Sequence, residues 1–158
     1  VKISDVELVI LGEGPEKKLI NDIFVKYNVE EKVQFKGFVD KQTLLHELYE
    51  ADILLYPAYH HGLATIILQS MYCYLPIVAM DGDIISYVVH ERCGLSANGK
   101  TVEDIKIDLI KNTTRLIDDV DFRTKLAFKG RDMVENNYEW QKLILKMTDV
   151  YNTKVQRR

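Results

Sequence analysis

The sequence predicts an α/β fold: a parallel sheet covered by helices on both faces, in a three-layer α/β/α arrangement. Three observations carry this. Short apolar runs alternate along the chain with segments of helical periodicity. Most of the runs are apolar nearly throughout and not at every second position, as in strands buried on both faces. Turns bearing glycine or proline separate the two kinds of segment.

Each element follows in order. "VELVILGEGP" reads as a buried strand ending in a Gly-x-Gly-Pro turn. "PEKKLINDIFVKYNV" places Leu19, Ile20, Ile23, Phe24 and Tyr27 at helical spacing, with proline in its first turn. "KVQFKGF" is a second strand, and "DKQTLLHELYEA" a helix with Leu44, Leu45 and Leu48 on one face. "DILLYPA" is the third strand, closed by Pro57; Thr65 to Tyr74 is helix, and "PIVAM" is the fourth strand. "DIISYVVHE" reads as a short helix and "GLSA" as a fifth strand. From Thr101 onward the chain is helical in three segments, and the tail "NTKVQRR" is expected to fray.

The 158 residues are most simply one domain, with 47% apolar and 28% charged residues, as in an ordinary globular protein. A net charge of −3 offers no general attraction to nucleic acid. No apolar run approaches a membrane span and no signal peptide is visible. The chain opens with "VKIS" and not methionine, so a fragment of a longer protein is expected. Cys73 and Cys93, widely spaced in apolar surroundings, read as buried reduced thiols of a cytosolic protein.

In parallel α/β sheets ligands bind beyond the carboxyl ends of the strands, so the turns there carry the functional reading. "GEGP" is part of a dinucleotide fingerprint without the third glycine; by itself it is a tight strand-to-helix turn whose glycines admit a flat ligand. "HHGLAT" is more specific. Gly62 removes bulk where the chain enters a helix, and Leu63, Ala64 and Thr65 then present backbone amides and a hydroxyl at its positive end. That is a seat for a phosphate or diphosphate; the plainer alternative is a helix start that Thr65 helps to cap.

Adjacent His60 and His61 diverge and lack a third ligand at usable spacing, so no metal is expected. His61, directly before the glycine, is the sharper candidate, a hydrogen-bonding or cationic group facing a ligand. His46 and His90 read as structural or solvated. Gln69 stands in an otherwise apolar helix, where it either bonds nearby backbone or faces the cleft.

Taken together, "LVILGEGPEKKL", "VQFKGFVDKQTLLHELYEADILLYPAYHHGLATIILQSMYCYLPIVAMDGD" and "VVHERCGL" resemble the C-terminal, nucleotide-sugar-binding domain of group 1 glycosyltransferases. These are retaining enzymes of the two-domain GT-B architecture. The likeness continues through "LIDDVDFRTKLAFKGRDMVENNYEWQKL", with its aromatic pair Tyr138 and Trp140, and so covers nearly the whole chain.

The resemblance implies a Rossmann-like domain over residues 1–158, lacking the usual first strand and helix and the arginine and lysine they carry. The absent strand ordinarily lies centrally. Hence the first and third strands here either pair directly, or take another chain between them, or leave the sheet open. It also implies a donor site of Gly12, Gly14, Gly37, Phe38, Gly62, Leu63, Ala64, Thr65 and Gln69, with His61 as the catalytic candidate. Gly37 and Phe38 would lie at the nucleotide base. "DGDIIS" matches a family glycine pair and acidic residue only loosely.

Two departures stand out. Where the family pattern has a glutamate contacting the donor sugar, this chain has His61; where it has a second, holding the ribose, it has Gln69. Glutamine still bonds ribose hydroxyls, but as a neutral group. A histidine beside a diphosphate is favoured as imidazolium, yet it cannot accept two sugar hydroxyls as a carboxylate does.

The expectation is therefore the donor-binding part of a retaining glycosyltransferase that takes a nucleotide diphosphate sugar as substrate. No cofactor or metal is expected. The acceptor domain would lie in the missing N-terminal part, as would any membrane contact. The expected setting is cytoplasmic, with the parent enzyme at the inner face of the membrane. The main rival is a non-catalytic module of the same architecture, a binding or scaffold unit; a nucleotide-sugar epimerase is a smaller alternative. A receiver domain lacks its acidic cluster here.

Overall fold

A computed structural model describes residues 6–58, 65–80 and 93–155. In chain order the elements are β1 (Leu8–Leu11), α1 (Lys17–Lys26), a 3₁₀ turn (Glu30–Lys32), β2 (Val33–Gly37), α2 (Lys41–Glu50), β3 (Leu54–Tyr56), α3 (Thr65–Tyr72), β4 (Ile77–Met80), β5 (Gly94–Ala97), α4 (Val102–Asp118), α5 (Val120–Asn137) and α6 (Trp140–Val155). All the described strand pairs are parallel. The helix expected at "DIISYVVHE" lies outside the described residues.

The chain divides into two compact units, Val1–Glu47 and Leu48–Arg158, and each has its own sheet. In the first, β1 pairs with β2, Leu8 opposite Val33 and Ile10 opposite Phe35, with a register slip that sets Leu11 opposite Gly37. In the second, the order is β3-β4-β5. Among the described strands β1 does not pair with β3, so of the arrangements expected from the sequence direct pairing is not the one adopted within the chain.

The second unit has the expected layering, and β4 shows why. Ile77 and Ala79 join Ile67 and Met71 of α3, Cys93 and Val134 of α5 in one buried cluster. Val78 joins Leu116 of α4 and Leu126 of α5 in another. Because successive residues of a strand point to opposite faces, a strand apolar at every position needs cover on both. Each fully buried side chain of this kind contributes about 1.5–3 kcal/mol. Gly130 lets α5 close on α3: a β-carbon there would stand 3.3 Å from Met71 Cγ.

The first unit departs from expectation. No residue of β1, β2 or α1 is buried, and Leu19 and Ile23 of α1 and Tyr27 just after it are exposed. A two-stranded sheet with so few residues around it has too little mass to enclose both of its faces.

Helix ends follow local chemistry. Thr101 and Asp104 form a reciprocal capping box at α4, with bonds of 3.0 and 3.1 Å. Asp119 caps α5 through Phe122 N at 2.9 Å, and Asp40 accepts from Thr43 N at 2.8 Å. Helix α3 stops at Tyr72, two residues before its expected end. Tyr74 N donates to Met71 O and Leu75 N to Ser70 O, with Tyr74 at φ +59°. This is the left-handed closing turn that glycine ordinarily supplies.

Candidate functional site

Glycines Gly12 and Gly37 end the two strands of the first unit and meet there. Gly12 N donates to Gly37 O at 2.7 Å, and their φ values of +111° and +64° are ones that side chains rarely adopt. A β-carbon at Gly12 or Gly14 would meet nothing within 4 Å, so the space above this turn is open. Phe38, the next residue after β2, is 84% exposed. Open backbone at Gly12 and Gly14, with an exposed ring following Gly37, suits a flat, aromatic ligand group.

Glu13 was not among the residues singled out from sequence. Its carboxylate pairs with Lys17 Nζ at 3.0 Å and lies over Gly37, where a β-carbon would come 2.7 Å from Oε1. The signal available was an acidic residue between two glycines with a lysine four positions on.

In the second unit, Thr65 is the first residue of α3 and is exposed. Gln69 stands one turn further on the same side, half-buried, while Ile67, Ser70 and Met71 are buried. The Gln69 side chain makes no hydrogen bond to the described residues, whereas Ser70 Oγ satisfies itself on Ile66 O at 2.7 Å. The first turn of α3 contains no acidic residue, so no carboxylate of that turn offsets its positive end. His61, Gly62, Leu63 and Ala64 lie outside the described residues, as do His60, His90 and "DGDIIS".

Other candidates resolve simply. Cys73 and Cys93 are buried and in no disulfide; Cys93 Sγ lies 3.6 Å from Met133 Sδ. Burial pushes the Cys73 thiol up, partly offset by a bond with Tyr49, which disfavours a nucleophilic thiolate. His46 is exposed on α2. Among the described residues no group of three His, Cys, Asp or Glu could hold a metal ion, and no helix is long and apolar enough to cross a membrane.

The chain is similar to known proteins in sequence and in fold. The family model described as glycosyl transferases group 1 matches residues 1–133. An uncharacterized glycosyltransferase of Methanocaldococcus jannaschii is 25% identical over 148 residues, 93% of this chain and 37% of that protein. The GDP-mannose-dependent monoacylated alpha-(1-6)-phosphatidylinositol monomannoside mannosyltransferase of Corynebacterium glutamicum is 26% identical, over 92% of this chain and 39% of its own length. The chain thus spans under two-fifths of these relatives. Among solved structures, Anabaena HepE in complex with UDP superposes with a TM-score of 0.76 at 15% identity, over 95% of this chain and 42% of that one, a likeness of fold.

Proposed function

The chain belongs to the group 1 glycosyl transferases, and from that premise we propose that it is the donor-binding part of an enzyme moving a hexosyl unit from a nucleotide diphosphate sugar to an acceptor with retained configuration. The observation that carries the reading is the start of α3. A helix whose first turn lacks any acidic residue begins at Thr65, directly after Gly62, Leu63 and Ala64 in the sequence, and its backbone amides are available to a diphosphate. The HepE complex with UDP, on the same fold, supports a nucleotide ligand.

The roles follow from the chemistry of each residue. Thr65 and the amides before it hold the phosphates. Gln69, lacking a protein partner among the described residues, is left to bond ribose hydroxyls. Gly12, Gly14 and Gly37 provide a floor for the base, with Phe38 at its edge. His61, as imidazolium, offsets charge on the leaving diphosphate. Catalysis then depends on positioning and on stabilising that leaving group, with no metal or cofactor.

The test is calorimetric titration of the chain, and of the longer protein containing it, with UDP, GDP and their sugar conjugates. Saturable binding weakened by Gln69→Ala and Thr65→Ala is expected. If the longer protein ignores every nucleotide, the reading fails and the non-catalytic module replaces it.

A further inference from the structure

A second feature lies at the opposite end of the second unit's sheet. Ala51 and Asp52 precede β3, and Tyr74 and Pro76 precede β4, so they stand at the amino ends of strands whose carboxyl ends carry the start of α3. With Arg123, Thr124 and Phe128 of α5 they line an open groove of about 430 Å³. That volume is within the range of about 300–1,000 Å³ usual for small-molecule sites.

Three properties of the groove need explaining. First, Tyr74 holds a left-handed backbone where glycine would sit without strain. Its ring meets Phe128 edge-on, centroids 5.2 Å apart, and the Arg131 guanidinium lies 5.2 Å from its centroid. Yet Tyr74 remains 45% exposed and Phe128 60%, so mutual packing accounts for only part of their surface. Secondly, the charges cancel locally. Arg123 Nη2 pairs with Asp52 Oδ1 at 3.0 Å and Arg123 Nη1 donates to Leu116 O at 3.1 Å. Beside them, Arg131 is paired with Glu135 at 2.6 Å and lies over the Tyr72 ring at 3.5 Å. Thirdly, the Asp52 side chain is 75% exposed, so its carboxylate keeps hydrogen-bonding capacity beyond the Arg123 pair, and Thr124 adds a hydroxyl-bearing residue to the same lining.

An uncompensated cation would select a phosphate, and a wholly apolar groove an apolar ligand. A neutralised groove with exposed aromatic surface and hydrogen-bonding groups on its rim selects a neutral ligand rich in hydroxyls that also presents C–H groups. Those C–H groups carry slight positive charge and lie favourably on the negative face of an aromatic ring. We infer that this groove is a saccharide-binding site, separate from the donor site, in which one sugar unit of a glycan rests on Tyr74 and Phe128 while Asp52, Arg123 and Thr124 bond its hydroxyls. The inference goes beyond the donor reading and stands independently of it: it needs no nucleotide. Helix α3, eight residues and about 12 Å long, lies in the chain between its first turn and Tyr74 of the groove.

The experiment is native electrophoresis of the full chain in gels containing neutral α-glucan, β-glucan, mannan or galactan. Retardation by at least one of them is expected. Phe128→Ala and Asp52→Ala should each weaken it about tenfold, while Phe128→Tyr retains it. Circular dichroism and thermal unfolding establish that the variants are folded, and titration with UDP and GDP should be unchanged in all three. Mobility unaffected by every polysaccharide, or retardation equal in wild type and both alanine variants, would overturn the proposal. So would a concentration-dependent dimer abolished by Phe128→Ala without any retardation, since the rings would then serve contact between chains.

Discussion

The carboxylate of Glu13 occupies the space that a side chain at position 37 would need, 2.7 Å from where a β-carbon would stand. Gly37 also holds a φ of +64°. The backbone is the main cost of any replacement, because the Glu13 side chain is flexible and partly exposed and can swing aside. Gly37→Ala should lower stability by about 1–2 kcal/mol through the backbone alone, with only a small further loss from displacing the Glu13–Lys17 pair. Thermal unfolding checks this. An unchanged midpoint would mean that the turn relaxes at no cost.

Gln69→Glu is the sharpest test of the donor reading. A carboxylate there would replace neutral bonds to ribose hydroxyls by charge-assisted ones, and nucleotide affinity should rise roughly tenfold. Calorimetry with the nucleotide that binds wild type reads the result directly. Equal or weaker binding would remove Gln69 from the ribose role.

The packing of α3 against α5 predicts opposite errors of volume at two neighbouring positions. Met71 is fully buried, and Met71→Ala should cost about 2–5 kcal/mol by leaving a cavity. Gly130→Leu should cost about 1–3 kcal/mol or more by forcing the helices apart, since even a β-carbon would press on Met71. Denaturant unfolding measures both. The double variant should recover part of the loss, because the added side chain enters the space that Met71 leaves.

Acid should weaken the start of α4. Hydrogen bonds from Thr101 hold the Asp104 carboxyl below its ordinary value. A carboxyl with a depressed folded-state pKa contributes stability that is present above its unfolded value and lost as pH falls through the folded one. The difference in unfolding temperature between wild type and Thr101→Ala should therefore be largest near neutral pH and shrink on acidification from about pH 5 to about pH 3. A difference independent of pH would assign the cap to the hydroxyl alone.

The kind and order of the described elements were legible because their causes are local. Period, β-branching and turn residues lie within a few positions of each other. The donor residues were legible in part. Gly12 and Gly37 were named for backbone that side chains rarely adopt, and they have it. Glu13 was overlooked, since its importance arises from a residue 24 positions away in the chain. The expected end of α3 lies two residues too late because Tyr74 in a left-handed turn contradicts local preference, and the contacts of its ring with Phe128 and Arg131 come from residues more than 50 positions away.

By itself the sequence determined that strands and helices alternate, that the strands are parallel, and which turns stand where a ligand would bind. Only the tertiary structure decided how the strands divide between sheets and which strand is covered on both faces. The apolar runs of β1 and β4 look alike in sequence, yet β4 is buried and β1 is not. The physical reason is that burial belongs to what packs against a strand, and β4 has α3, α4 and α5 around it while the first unit has no comparable mass.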